Sequence, residues 1–161
     1  MAVDMFIKIG DLKGESKDSK HKDQVDVHSW SWGMSNSGTT HKGGGGGSGK
    51  VNVHDLTFTK YIDFSSIALQ LACANGRHYP SALLTMRKAG QHPLEYLKIK
   101  MTEVLVTSVI TGGSGGQDRL TENITLNFAR VSVDYQKQAA NGGADGGPAS
   151  YTWDIAANAE T

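Results

Sequence analysis

Three groups of residues in this chain have types and spacings that could do chemistry. The first is Gly44–Val51, GGGGSGKV, which nearly spells the Gly-x4-Gly-Lys-Ser/Thr loop that cradles phosphates. Val51 stands where the magnesium-holding hydroxyl belongs, and the next residues read as a strand. No helix N-terminus would then meet the anion, so a connecting loop is the better reading. The second group is the six histidines, His21, His28, His41, His54, His78 and His92. None is spaced i, i+4 on a helix and no Cys-x2-Cys accompanies them, which argues against a zinc site. His28 and His54 fall on strands expected to be neighbours, where cross-strand packing accounts for both. The third group is Cys73, Asp63 and the sequon Asn123-Ile124-Thr125. Cys73 lies among alanine and leucine and reads as a small buried hydrophobe. Asp63 precedes the one helical pattern, and it or Ser65 reads as the cap. The sequon matters only in a secretory lumen, and nothing in the chain places it there. No nucleophile, base and oxyanion donors converge. The pattern therefore points to a structural or binding protein with no catalytic residues, cofactor or metal.

The elements that position these residues are mostly strands. Val25–Asp63 reads as strand, long glycine-rich loop, strand. Between Val25 and Met34 one parity carries Asp26, His28, Trp30, Trp32 and Met34, and the other Val25, Val27, Ser29, Ser31 and Gly33. Side chains alternate across a strand, so Trp30, Trp32 and Met34 are expected over a core, with Ser29, Ser31 and Gly33 leaving a smooth wettable surface behind. On the returning strand Leu56 and Phe58 oppose Asp55, Thr57 and Thr59. A first strand is predicted at Val3–Ile9, then a charged solvated loop over Gly10–Asp23. The single helix is predicted from Phe64 to Asn75, stopped by Gly76. Only Gln70 is strongly polar between Ile67 and Ala74, so this helix should be covered on more than one side, the second cover being a neighbouring copy.

Further strands are predicted at Ser81–Lys88, Glu95–Thr111, Arg119–Gln136 and Tyr151–Ile155. In Glu95–Thr111 the apolar parity switches near Val104. In Arg119–Gln136 the core set Leu120, Ile124, Leu126 and Phe128 gives way near Ala129 and Arg130 to Val131, Val133 and Tyr135. Such strands bend or bulge, as barrel strands do. Thr121, Asn123, Thr125 and Asn127 share the other face, and asparagine is a poor strand residue unless that face has another task. The total is seven or eight strands with one helix.

At 161 residues the chain reads as one domain, 1–161. Sixteen basic residues balance sixteen acidic ones, which argues against nucleic acid as a partner and favours close packing of identical subunits. One cysteine excludes an internal disulfide. The apolar runs are too short for membrane insertion, and MAVDMFIKIG is not a cleaved secretory signal.

MAVDMFIKIGDLKGES, SWSWGMSNSG with the glycine run, KVNVHDLTFTKYID, HYPSALLTMRKAG, EYLKIKMTEVLVTSV, GGSGGQDRLTENITLNFARVSVDY and the strand around Trp153 together resemble the Hcp family, the haemolysin-coregulated tube proteins of bacterial type VI secretion systems. The resemblance runs almost end to end. It implies a mainly β fold, a β-barrel of two antiparallel sheets with one flanking helix. It also implies a homohexameric ring that stacks into a tube, with a VgrG-type spike, a contractile sheath, a baseplate and effector proteins in the lumen as partners. The protein would be cytoplasmic when assembled and then secreted. A phage-like tail-tube protein shares most of this architecture, and a monomeric ligand-binding barrel or a small enzyme remain more distant alternatives.

Face parity and the family architecture together nominate Ser29, Ser31, Gly33, Thr125 and Asn127 as lumen and effector contacts. The loop containing Gly43, Gly44, Gly45, Gly46 and Gly47, with Gly90 and Gln91 in the Ala89–Pro93 turn, is expected to reach adjacent subunits or rings.

Overall fold

A computed structural model of the chain describes residues 3–38, 48–91 and 93–161. In chain order the elements are β1 (Val3–Ile9), β2 (Val25–Asp26), β3 (Ser29–Ser31), β4 (Met34–Gly38), β5 (Ser48–Val53), β6 (Leu56–Tyr61), α1 (Ser65–Asn75), β7 (His78–Lys88), β8 (Glu95–Gly112), β9 (Thr121–Tyr135), β10 (Ala149–Asp154) and β11 (Ala159–Glu160). Among the described residues these strands form a nine-stranded antiparallel sheet and a separate two-stranded arm, β4–β5. The mainly β fold with one helix is as expected.

The long strands β8 and β9 set the shape. The first half of β8 pairs with β7, which pairs with β1. The second half of β9 pairs with β10, and its first half with β6. Core parity switches in both strands at the same level. Ile99 and Met101 are buried and then Val104 and Val106 on β8; Ile124, Leu126 and Phe128 and then Val131 on β9. Glu103, at the switch, has φ 55°, a left-handed conformation that bends the strand out of plain pleating. The two predicted layers are thus halves of one sheet carried round a corner. The segment Val25–Ser31 runs from one edge to the other, because β2 pairs with β1 and β3 pairs with β6. Ile7, Ile9, Leu56, Phe58, Leu84, Ile99, Met101 and Leu126 fill the interior.

Several expectations need correction. Val25–Met34 is not one two-faced strand. Val25 and Val27 are buried and the chain then bends, so that Trp30 and Trp32 turn inward and half-buried. Met34 has left the core altogether and begins the arm, 43% exposed. Leu120 precedes β9 and is exposed rather than buried. The charged segment Gly10–Asp23 is not a solvated loop. It folds back on itself through Gly14 N–H to Asp23 O (2.7 Å) and Ser16 N–H to Gln24 O (3.0 Å). Leu12, Ser16 and His21 are buried. His21 stacks on Phe6 with ring centroids 4.4 Å apart. Arg87 ties this strap down, donating to Asp18 and Asp4. Its lysines are exposed, Leu12 joins the core and His21 covers the Phe6 ring on β1.

The helix begins one residue later than predicted and ends at Gly76, whose φ of 72° and N–H to Ala72 O (3.0 Å) form a left-handed stop. Phe64 occupies the N-cap position without a side-chain bond, and Asp63, one residue earlier, accepts from the Ser65 N–H at 2.8 Å.

Candidate functional site: a polar sheet face and its flanks

β3, β6, β9 and the second half of β8 lie side by side, and their outward face is lined by short polar side chains. Register brings these together: Ser29 opposite Thr59, Ser31 opposite Thr57, Thr57 opposite Thr125, Thr59 opposite Asn123. On β8, Ser108 is opposite Thr125, and Ile110, 63% exposed opposite Asn123, is an apolar exception on this face. The side chains bond to one another. Thr57 and Thr125 hydroxyls are 3.2 Å apart, Thr59 donates to Asn123 Oδ1 at 2.6 Å, and Asn127 donates to Asp55 at 2.9 Å. Ser29, Ser31 and Asn127 are exposed and Thr125 is half-buried. Gly33 lies beyond β3, where its carbonyl accepts from His54 N–H at 2.9 Å, and it continues the row toward the arm. Thr57, Thr59, Asn123 and Asp55 belong to the same face. Alternation from Leu56 and Ile124 was the signal for them.

The opposite face of these strands is core, with one exception that sequence reasoning missed. Lys60 and Glu122 are opposite each other in register and fully buried. Lys60 Nζ bridges to Glu122, Asp63 (2.9 Å) and the Ser66 hydroxyl (3.1 Å). Ser66 donates to Glu122 at 2.6 Å. Burying a charge is tolerable only when it is paired and hydrogen-bonded. The sheet under the polar face is thereby riveted to the first turn of α1. The signal was present in the alternation: Lys60 follows Leu56 and Phe58, and Glu122 precedes Ile124 and Leu126, on core parity.

Both margins of this four-stranded sheet are open. Among the described residues, β3 pairs only with β6, and β8 beyond Leu105 pairs only with β9. α1 packs beside the β8 margin, where Gln70, Cys73 and Ala74 meet Val109 and Thr111. Cys73 is half-buried there. His28 packs edge-on against Tyr61 at 3.9 Å and His54 lies 3.3 Å from Ser35. Among the described residues no three His, Cys, Asp or Glu side chains converge as metal ligands. Gly90 and Gln91 are exposed at the β7–β8 turn, where Gly90 has φ 147°. Gly43, Gly44, Gly45, Gly46 and Gly47, and with them most of the near-phosphate loop, lie outside the described residues.

The model of the family described as "Type VI secretion system effector, Hcp" matches residues 6–135. The chain belongs to the Hcp family. It is 65% identical over 161 residues to "Protein hcp1" of Pseudomonas aeruginosa, with 99% of each chain covered. Among solved structures it is similar to a type six secretion system protein, with TM-score 0.94, 31% identity and coverage of 99% of this chain and 100% of that one. It is also similar to Hcp1 from Salmonella typhimurium, with TM-score 0.82, 40% identity and full coverage of both chains. Hcp proteins are secreted structural components of the type VI system and not enzymes. Among the described residues no helix is long and apolar enough to cross a membrane.

Proposed function

We propose that this protein is the tube subunit of a type VI secretion system. It closes six-membered rings with copies of itself. The rings stack into a tube within a contractile sheath, on a baseplate and behind a VgrG-type spike, and the tube is assembled in the cytoplasm and then expelled. The lumen is lined by the polar face containing Ser29, Ser31, Gly33, Thr125 and Asn127, and effector proteins ride there. The observation that carries this reading is a wettable sheet face bounded by two open margins. Unpaired strand margins invite another chain, and two different margins meeting head to tail generate a ring when the rotation closes. The face between them would then become a continuous inner wall that water and a passenger protein can both touch.

Stacking is assigned to the Gly43–Gly47 loop together with Gly90 and Gln91. Negative-stain microscopy of the purified chain tests the ring directly, with annular particles expected. A chain that stays single at high concentration would contradict it. Deleting residues 43–47 should then shorten or abolish tubes while single rings persist, and full-length tubes from the deletion would refute the stacking role.

A further inference from the structure

The open margins leave one prominent feature of the surface without a use. Phe64, Ile67 and Leu71 are 73%, 72% and 62% exposed. Their spacings of three and four residues place them in one ridge along α1. The helix, SSIALQLACAN, has no charged residue, and its other face is already occupied by buried Ser65, Ser66, Leu69 and Ala72. A second apolar feature lies where the β4–β5 arm meets β10. Met34, Val51, Tyr151 and Trp153 line a concave pocket of about 240 Å³. Met34 and Tyr151 are 43% and 36% exposed at its mouth, and the buried Trp153 Nε1–H has no hydrogen-bond partner.

These two features lie on opposite margins of the sheet. β9 pairs with β8 along one side and with β6 and β10 along the other. α1 packs on the β8 side, whereas the arm and β10 lie on the β6 side. A protomer therefore cannot fill its own pocket with its own ridge. In a head-to-tail ring each protomer offers its ridge to one neighbour and its pocket to the other, which is the arrangement a heterologous contact requires. Neither surface carries a charge that a differently charged partner would satisfy, and the knob is convex where the pocket is concave.

We infer that the Phe64–Ile67–Leu71 ridge of one copy seats in the Met34–Val51–Tyr151–Trp153 pocket of the next copy. The inference rests on the ring reading and adds the side chains that hold the ring closed. The test uses the full chain carrying Met34→Cys and Ile67→Cys in a Cys73→Ser background, treated with a short bis-maleimide. A covalent ladder up to the hexamer is expected in denaturing gels, with each single-cysteine chain remaining monomeric. Rings visible by microscopy without a ladder would overturn this pairing and leave the ring reading standing. Absence of rings from the unaltered chain would overturn the ring reading itself.

A second measurement avoids cross-linking. Met34→Asp and Ile67→Asp, each folded by circular dichroism, should each lose at least tenfold in ring yield. Mixed in equal amounts they should form heterodimers and stop there, since the mixture holds one intact ridge facing one intact pocket. Rings from either variant alone at the yield of the unaltered chain would refute the contact and assign the ridge to a partner other than this chain.

Discussion

On the β3–β6–β9–β8 face most side chains are short and several bond to one another, Thr57 to Thr125 at 3.2 Å and Thr59 to Asn123 at 2.6 Å, with Ile110 the long apolar exception. On α1 the exposed side chains are long, apolar and standing in solvent, Phe64 and Ile67 foremost. The first surface loses nothing by staying wet, because its hydroxyls and amides find partners in the sheet or in water. The second is stabilised only by being covered. The two regions therefore suit opposite places in the proposed ring, the partly buried polar face toward an aqueous bore and the exposed ridge toward a neighbour. They are joined through a single buried cluster, since Lys60 and Glu122 lie on the reverse of the polar face while Asp63 and Ser66 open the helix.

That joint supplies the largest expected effect. Lys60→Met removes the cation and leaves Glu122 and Asp63 facing each other in the core. Losing one partner of a buried pair costs about 3–5 kcal/mol. Urea denaturation should show that loss, and both surfaces should fail together, with neither rings nor cargo retention. Adding Glu122→Leu should restore most of the stability, because it removes the fully buried carboxylate, while Asp63 keeps the Ser65 N–H and hydroxyl as donors. A Lys60→Met chain with unchanged denaturation midpoint would show that the cluster is not what joins the two regions.

How far these regions were legible in the sequence depends on how local their causes are. β1 was readable to the residue, and the parity switches near Val104 and Ala129 were visible because the apolar pattern itself changes phase there. The polar face followed from alternation alone. The bend after Val27 was missed because Trp30, Trp32 and Met34 continue an unbroken alternation, although Val25 and Val27 on the other parity already contradicted it. The strap was misread for a different reason. Its composition is that of a solvated loop, and what orders it is remote: the Phe6 ring under His21, and Arg87, which is 69 residues from Asp18. Lys60 and Glu122 are an intermediate case. Each breaks an apolar parity, and their opposite signs fit pairing, but only register shows that they are opposite each other.

A paired substitution separates the wet surface from the dry one. Ser31→Gln adds bulk to an exposed position on the polar face, where surface changes move stability by no more than about 0.5 kcal/mol. Rings should form at the usual yield while effector retention falls several-fold in a pull-down. Ile67→Asp should do the reverse at the level of assembly, lowering ring yield while the isolated chain keeps its denaturation midpoint. Loss of rings from Ser31→Gln, or cargo retention unchanged by it, would remove Ser31 from the bore.

The smallest effect is expected from the strap, which belongs to neither surface. Asp18 accepts from Arg87 at 3.1 Å and 2.5 Å and from the Lys20 N–H at 3.0 Å. The Arg87 hydrogen bonds hold its carboxyl well below the usual carboxylate range, against the opposing effect of burial. A depressed folded value means that the carboxylate contributes stability above its unfolded pKa of about 3.9 and loses that contribution as pH falls below it. Asp18→Asn should therefore cost about 1 kcal/mol at pH 7. The gap to the unaltered chain should narrow progressively below about pH 4 as the latter becomes protonated. Urea titrations at pH 7 and pH 3 measure this directly, and an equal gap at both would show that the Asp18 charge is not what fastens the strap. Rings and cargo retention should both survive Asp18→Asn at neutral pH, because Asp18 bonds to Arg87 and to its own segment, whereas the strap meets the α1 ridge through Glu15, which accepts from the Phe64 N–H at 2.9 Å.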